Sequence, residues 1–287
     1  MRFEAVAMAA LLAFHGSAWA AEQEETFTIP EPGAPNVDGK KLSKLLDKSD
    51  PRAINNVGWL WARGEGGVKQ DFKEALSWWT YAAKQGYTPS MNNIGLLYAN
   101  GHGVDQSFEE AFKWWMRSAE RNNAWAMNAV GDLYENGQGV PQNYELALTW
   151  YREAAKEGDG LAMWNIGHLS EKGWGTDRNY GEAARWYRQA AERGKALGMY
   201  SLGKLYQSGR VAGQPDAAEA YVWYSVAALR FTEEDATEAE DNRKLLQEVA
   251  ATLSAEQRAA GDRKAQDLDR QFERARKLRP DGTEAST

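Results

Sequence analysis

Cysteine is absent from the chain of 287 residues. Its absence excludes disulfides, thiolate catalysis and cysteine-ligated zinc. Histidine is scarce, with three in all, His15, His102 and His168. The last two fall at different positions of the pattern described below, so no metal cluster follows from them. No Ser-His-Asp set can be built from spacing either. Basic runs are missing and the net charge is −7. This composition excludes the usual nucleic-acid binders, whose affinity rests on phosphate contacts. No apolar run is long enough to span a bilayer. What is abundant is tryptophan, thirteen residues, in a chain that is 43% hydrophobic and 26% charged, the balance of a folded chain rather than a disordered one.

The first twenty residues carry Arg2, an apolar run from Ala5 to Phe14 and a small-x-small end at Ala18-Trp19-Ala20. They read as a secretory signal peptide cleaved after Ala20, against the competing reading of a short buried helix. No cysteine follows the cleavage site for a lipoprotein anchor. Removing Arg2 and Glu4 leaves the charge at −7. The expected location is periplasmic or secreted.

The rest of the chain is dominated by one unit written five times. Gly58, Gly95, Gly131, Gly167 and Gly203 recur at intervals of 37, 36, 36 and 36. Gly64, Gly101, Gly137, Gly173 and Gly209 follow them, and a third glycine stands at 66, 103, 139 and 175. Downstream come Ala75, Ala111, Ala147, Ala183 and Ala220, each followed by Trp78, Trp114, Trp150, Trp186 or Trp223. Each unit predicts two helices. Met91, Ile94, Leu97 and Tyr98 share one helical face. Gly101 suits the left-handed end of that helix. Asp71, Ser107, Asn143, Asn179 and Asp216 are predicted N-caps of the second helices. Glu74, Glu110, Glu182 and Glu219 predict capping boxes, while Leu146 predicts a weaker cap in the third copy. Gly86, Gly158, Gly194 and Asn122 suit the ends of the second helices. Gly95 and its counterparts are expected to let two helix backbones approach closely, with the neighbouring Trp and Tyr filling space around them.

The pattern, quoted as A-x-x-x-L/I-G-x-L-Y-x-x-G-x-G-V-x-Q with a capped A-x-x-W-[YW] helix behind it, resembles the Sel1-like repeat, a relative of the tetratricopeptide repeat. The resemblance implies an all-α, right-handed α-solenoid of about five antiparallel helix pairs with N- and C-terminal capping helices. The expected layout is a signal peptide over 1–20, a disordered Pro/Glu-rich leader over 21–37 and an N-terminal capping helix over 38–49. Five repeats follow at 50–86, 87–122, 123–158, 159–194 and 195–231. A C-terminal helical cap covers 232–278, with Thr232 as a helix cap and a Ser254/Gln257 capping box, and a disordered tail covers 279–287. A partner-binding coiled coil is the other reading of the C-terminal helices.

No catalytic residue, metal or cofactor is expected. The "GEGGVK" at 64–69 lacks both the Gly-Lys-Ser/Thr and the preceding strand of a phosphate loop, and reads as the repeat connector with Gly67 as an extra residue. Some cysteine-rich Sel1-like proteins are linked to binding or hydrolysing β-lactams, but those carry a cysteine pair per repeat. In related solenoids the first helices line the concave side. Their variable positions here are Asn55, Asn92, Asn128, Trp164 and Tyr200, and four residues on, Trp59, Leu96, Asp132, His168 and Lys204. The two sets share a helix face. The asparagines could grip an extended peptide backbone, and the aromatics could act as anchors. An exposed face packed only against its own neighbours is the plainer reading. Trp125 and Trp174 fall outside the repeated aromatic positions and are further candidates. The expected function is an exported, non-catalytic scaffold binding another protein or an extended peptide, with no nucleic acid and no membrane span. An envelope hydrolase acting on peptidoglycan or β-lactams, and an immunity protein binding a toxin, are the alternatives.

Overall fold

The computed structural model describes residues 50–65, 67–232 and 235–277. The signal peptide, leader, N-terminal helix and tail expected from the sequence lie outside the described residues. Among those described, the regular structure is all α-helical, in twelve helices. The first helices of the units are α1 (Pro51–Arg63), α3 (Thr88–Asn100), α5 (Ala124–Asn136), α7 (Gly160–Lys172) and α9 (Ala196–Gln207). The second helices are α2 (Phe72–Lys84), α4 (Phe108–Ala119), α6 (Tyr144–Lys156), α8 (Tyr180–Glu192) and α10 (Ala217–Ala228). Two helices close the chain, α11 (Ala236–Thr252) and α12 (Ala255–Lys277). The chain parts into two compact units between Tyr81 and Ala82. In the second, each helix from α3 to α10 packs on the next, which makes an α-solenoid of helix pairs, and α11 and α12 pack on α10.

Each connector is short because it satisfies both helix ends at once. Gly101 stands in the left-handed region at φ 69°, and its N–H returns to the Leu97 carbonyl. The cap residue of the next helix then donates its own N–H to a last-turn carbonyl of the helix before it. Ser107 reaches Tyr98 at 2.9 Å, Asn143 reaches Tyr134 at 2.8 Å and Asn179 reaches Ser170 at 2.9 Å. Those carbonyls have no partner within their own helix. The repeated glutamine takes a third one, Gln106 Nε2 donating to Ala99 and Gln142 Nε2 to Glu135. The cap side chains accept as predicted, Ser107 from Glu110 N–H and Asn143 from Leu146 N–H.

The predicted capping boxes in the repeats are corrected by these bonds. The cap N–H is already spent, so the glutamates turn elsewhere. Glu110 pairs with Lys113, and Glu219 accepts from Trp223 Nε1. For the same reason the third copy, with Leu146, has no weaker cap. Asn143→Ala should cost about 1 kcal/mol, the same as Asn179→Ala. Urea denaturation of both variants checks this. Among the described residues the reciprocal box forms where no repeat precedes it: Ser254 N–H donates to Gln257 Oε1 at 2.8 Å, and Gln257 N–H to Ser254 Oγ at 3.1 Å. Asn122, at φ 59°, is the one described non-glycine residue in the left-handed region.

The role assigned to Gly95 also changes. A Cβ there would lie 2.1 Å from Trp115 Nε1, so the glycine admits an aromatic ring rather than a second backbone. In the other copies the ring is Trp79 at Gly58, Tyr151 at Gly131, Tyr187 at Gly167 and Tyr224 at Gly203. All five rings are buried. Removing the Cβ also bares the carbonyl three residues earlier. Trp79 Nε1 donates to Asn55 O at 3.0 Å, and Trp115 Nε1 to Asn92 O at 3.2 Å.

Thr232 is not the cap expected of it. Helix α11 begins at Ala236, and the Thr232 N–H and hydroxyl donate to Asp235 Oδ2 at 3.0 and 2.9 Å. Helix α12 lays Ala265 and Phe272 into a core shared with Trp223 and Val226. Arg230 binds Asp269 at 2.6 Å and Glu273 at 2.5 Å across the same contact.

The first-helix face as a candidate interaction surface

Ring identity and side-chain chemistry vary together along the first helices. Where the ring is tryptophan, the residue four after the notch glycine is Ala62 or Ala99, and the indole uses a backbone carbonyl. Where it is tyrosine, that residue is an acceptor. Tyr151 donates toward Glu135, Tyr187 to Glu171 at 2.9 Å and Tyr224 to Gln207 at 2.6 Å. Sequence reasoning missed Glu135, Tyr151 and Asn165. The pairing of ring type with acceptor across the five copies was the signal that could have found Glu135 and Tyr151, though not Asn165.

In the first unit Asn55 is buried at 5% exposure. Trp59 meets Trp79 edge to face at 5.2 Å and carries the Arg63 guanidinium at 4.8 Å. In the second unit Asn92 is half-buried. Its Nδ2 donates to Asn123 Oδ1 at 3.1 Å, while its own buried Oδ1 has no partner. Leu96 is half-exposed. Asn128 is buried at 4%. Asn55 and Asn128 therefore offer no free amide to a peptide, and the expected grip by an asparagine ladder does not form. The physical reason is burial, and Asn128 is also bonded within the contact between helices. Asn128 Nδ2 donates to Asp132 Oδ2 at 3.2 Å, and its Oδ1 accepts from Asn165 Nδ2 at 2.9 Å.

Asp132 sits at the centre of this polar knot. Its Oδ1 accepts from Asn165 at 3.2 Å and from the Tyr151 hydroxyl at 2.7 Å. The same hydroxyl oxygen lies 2.6 Å from Glu135 Oε2. One O–H can donate only once, so the second short contact calls for a proton on a carboxyl. Burial pushes Asp132 up to about 6, with the charges of Glu135 and Asp159 adding to the rise and the Tyr151 and Asn165 bonds opposing it. Burial, with the two adjacent carboxylates, also raises Tyr151, which stays a donor.

The C-terminal half of the face is aromatic. Trp164 stacks on His168 at 5.3 Å and donates to Ser201 Oγ at 2.9 Å. His168 meets Trp174 edge-on at 5.8 Å, and Trp174 stacks on Tyr144 at 5.2 Å. Burial lowers His168. Tyr200 lies 6.2 Å from Tyr224 and carries the exposed Lys204 ammonium at 5.2 Å. Trp125 rests edge-on against Trp115 at 5.7 Å. Among the described residues no group of three acidic or histidine side chains is placed to hold a metal ion, and no helix is long and apolar enough to cross a membrane.

The sequence profile of the Sel1 repeat matches residues 51–87, 88–123, 126–159, 160–195 and 196–230. The chain belongs to the Sel1 repeat family. A Sel1 repeat protein from Oxalobacter formigenes is 32% identical, with a TM-score of 0.64 over 80% of this chain and 89% of that one. An immunity protein from Pseudomonas aeruginosa is 20% identical, with a TM-score of 0.45 over 84% of this chain and 78% of that one. A protective antigen of uropathogenic Escherichia coli with the same repeat fold is 20% identical, with a TM-score of 0.35 over 86% of this chain and 68% of that one. No curated protein matches in sequence. As a Sel1 repeat chain, the protein is a helical scaffold of the kind that holds other proteins.

Proposed function

We propose that the protein is an exported, non-catalytic Sel1 repeat scaffold that binds another protein, through an extended segment, in the bacterial cell envelope. The binding surface is the first-helix face of α3, α5, α7 and α9. The observation that carries this reading is that two tryptophans stay open beside that face, Trp125 at 41% and Trp174 at 39% exposure. The five notch rings, by contrast, are buried, and Trp164 and Tyr200 on the face itself are partly covered. Exposed aromatic anchors next to packed ones are the usual form of an interface hot spot. Export is supported by the n-region, apolar run and Ala18-Trp19-Ala20 end of residues 1–20.

The test uses the mature protein, whose first residue should be Ala21, recovered from the envelope of its own cells with whatever it holds. The Leu96→Ser, Trp125→Ala double variant should lose the co-purifying protein by tenfold or more with an unchanged melting curve. Full retention of that protein by the double variant would remove the first-helix face from the account.

A further inference from the structure

Comparing the copies residue by residue leaves one pair of acids without a lysine or arginine. In the fourth copy Glu171 accepts from the Tyr187 hydroxyl and from Arg210 Nη1 at 3.1 Å. The same guanidinium lies 4.8 Å from the Tyr180 ring centre. The chain itself thus shows how this corner of a repeat holds a guanidinium, with a carboxylate on its edge and a tyrosine on its face. One copy earlier the carboxylate is Glu135, the hydroxyl is Tyr151 and the ring is Tyr144. Thirty-six residues before Arg210, however, stands Trp174. Its indole takes the place on the tyrosine ring, at 5.2 Å and 28°, and brings no charge.

The third copy also has a second acid. Asp132 occupies the position that is His168 in the fourth. Among the described residues neither Asp132 nor Glu135 pairs with a lysine or arginine; their carboxyls bond Tyr151, Asn128 and Asn165, and the one base that feels Glu135 is His168, which burial lowers. The charged groups acting on Asp132 are Glu135 and Asp159, both acidic. Glu135 is only half-buried. His168, which feels the Glu135 charge, meets Trp174 edge-on at 5.8 Å.

We propose that this corner, between the third and fourth repeats, is a pocket for an arginine side chain of the bound partner. The guanidinium meets the Glu135 carboxylate, with Asp132 behind it, and lies along Trp174 as Arg210 lies along Tyr180. The pocket rests on the reading of the first-helix face as the interaction surface, and it names the chemistry that surface selects. A basic residue in an extended segment complements the two carboxyls, whereas an acidic or neutral one leaves them unanswered.

The test is a titration of the mature protein at low salt with two capped pentapeptides, Gly-Ala-Arg-Ala-Gly and the same peptide with citrulline for arginine. The Trp174 indole N–H is followed by NMR. The arginine peptide should shift that signal saturably and bind at least tenfold tighter than the citrulline peptide, which has the same shape without the charge. Glu135→Gln keeps an acceptor for Tyr151 and should weaken binding about tenfold. Trp174→Arg supplies the missing guanidinium from within the chain, as the next copy does, and should abolish peptide binding while raising the melting temperature. Glu145→Gln, an exposed acid on α6, should leave binding unchanged. Equal binding of the two peptides, no saturable shift, or equal weakening by Glu145→Gln would overturn the pocket. If the pocket fails while the Leu96/Trp125 variant still loses its partner, the surface stands and only its arginine specificity is wrong.

Discussion

Gly95→Leu should destabilise the protein by about 4 kcal/mol, the scale set by expelling a buried tryptophan, and lower the melting temperature by roughly 10 °C. The new side chain cannot coexist with Trp115, because even its Cβ would stand 2.1 Å from the indole nitrogen. The ring must leave, which exposes its buried surface and strands the Asn92 carbonyl contact. A repeat contacts only its neighbours, so the damage should appear as loss of cooperativity in the denaturation curve. The decisive measurement is a double-mutant cycle with Trp115→Ala. Removing the ring first should relieve much of the cost of leucine, giving a coupling well above 1 kcal/mol. Additive losses would contradict the notch-and-ring account.

Asp132→Asn should change stability with a distinct pH signature. The carboxyl titrates near 6 in the folded chain, against 3.8 ordinarily. An acid whose folded value is raised binds its proton more tightly when folded. Its contribution is therefore fully present below about pH 4 and is lost as pH rises toward 6. The shift corresponds to about 3 kcal/mol, and loss of one amide contact in the variant offsets about 1 kcal/mol of the gain. Relative to the parent, Asp132→Asn should thus gain about 2 kcal/mol at pH 7. That advantage should vanish and reverse toward pH 4. The groups facing Asp132 are Glu135 on its own helix, Tyr151 on α6, and Asp159 and Asn165 at and on α7. Chemical denaturation of both proteins between pH 4 and 7 reads the difference directly. A flat difference curve would mean that Asp132 keeps an ordinary carboxylate.

The helix pairs, their left-handed glycine ends and the side-chain N-caps were legible in the sequence because each depends on local chemistry repeated five times. Gly101 and Ser107 carry their meaning in their own residue type. The capping boxes were misread because the competing partner of the cap N–H is a carbonyl of the preceding helix, nine residues back at Ser107, and only the closed connector brings it there. The use of Gly95 was half legible. Periodicity marked it as an interior contact, but whether backbone or ring fills the notch depends on how two helices cross. The face was the least legible. Asn92 and Asn128 look equivalent in an aligned pattern, yet one is half-buried and the other bound inside the Asp132 knot. That knot was set by Asn165 and Tyr151, which lie on other helices and carry no local signal. Trp125 and Trp174 stood out because they broke the repeat, and breaking the repeat proved the better guide to exposed chemistry than following it.

The central claim is that the first-helix face is where this scaffold holds its partner. The most direct measurement places a photo-crosslinking phenylalanine analogue, one position at a time, at Leu96 and Lys204 on that face and at Arg152, an exposed site on α6. The variants are irradiated in the cells that make the protein. The account predicts one shared crosslinked product from positions 96 and 204 and none from 152. A product from 152 with none from either face position would contradict it.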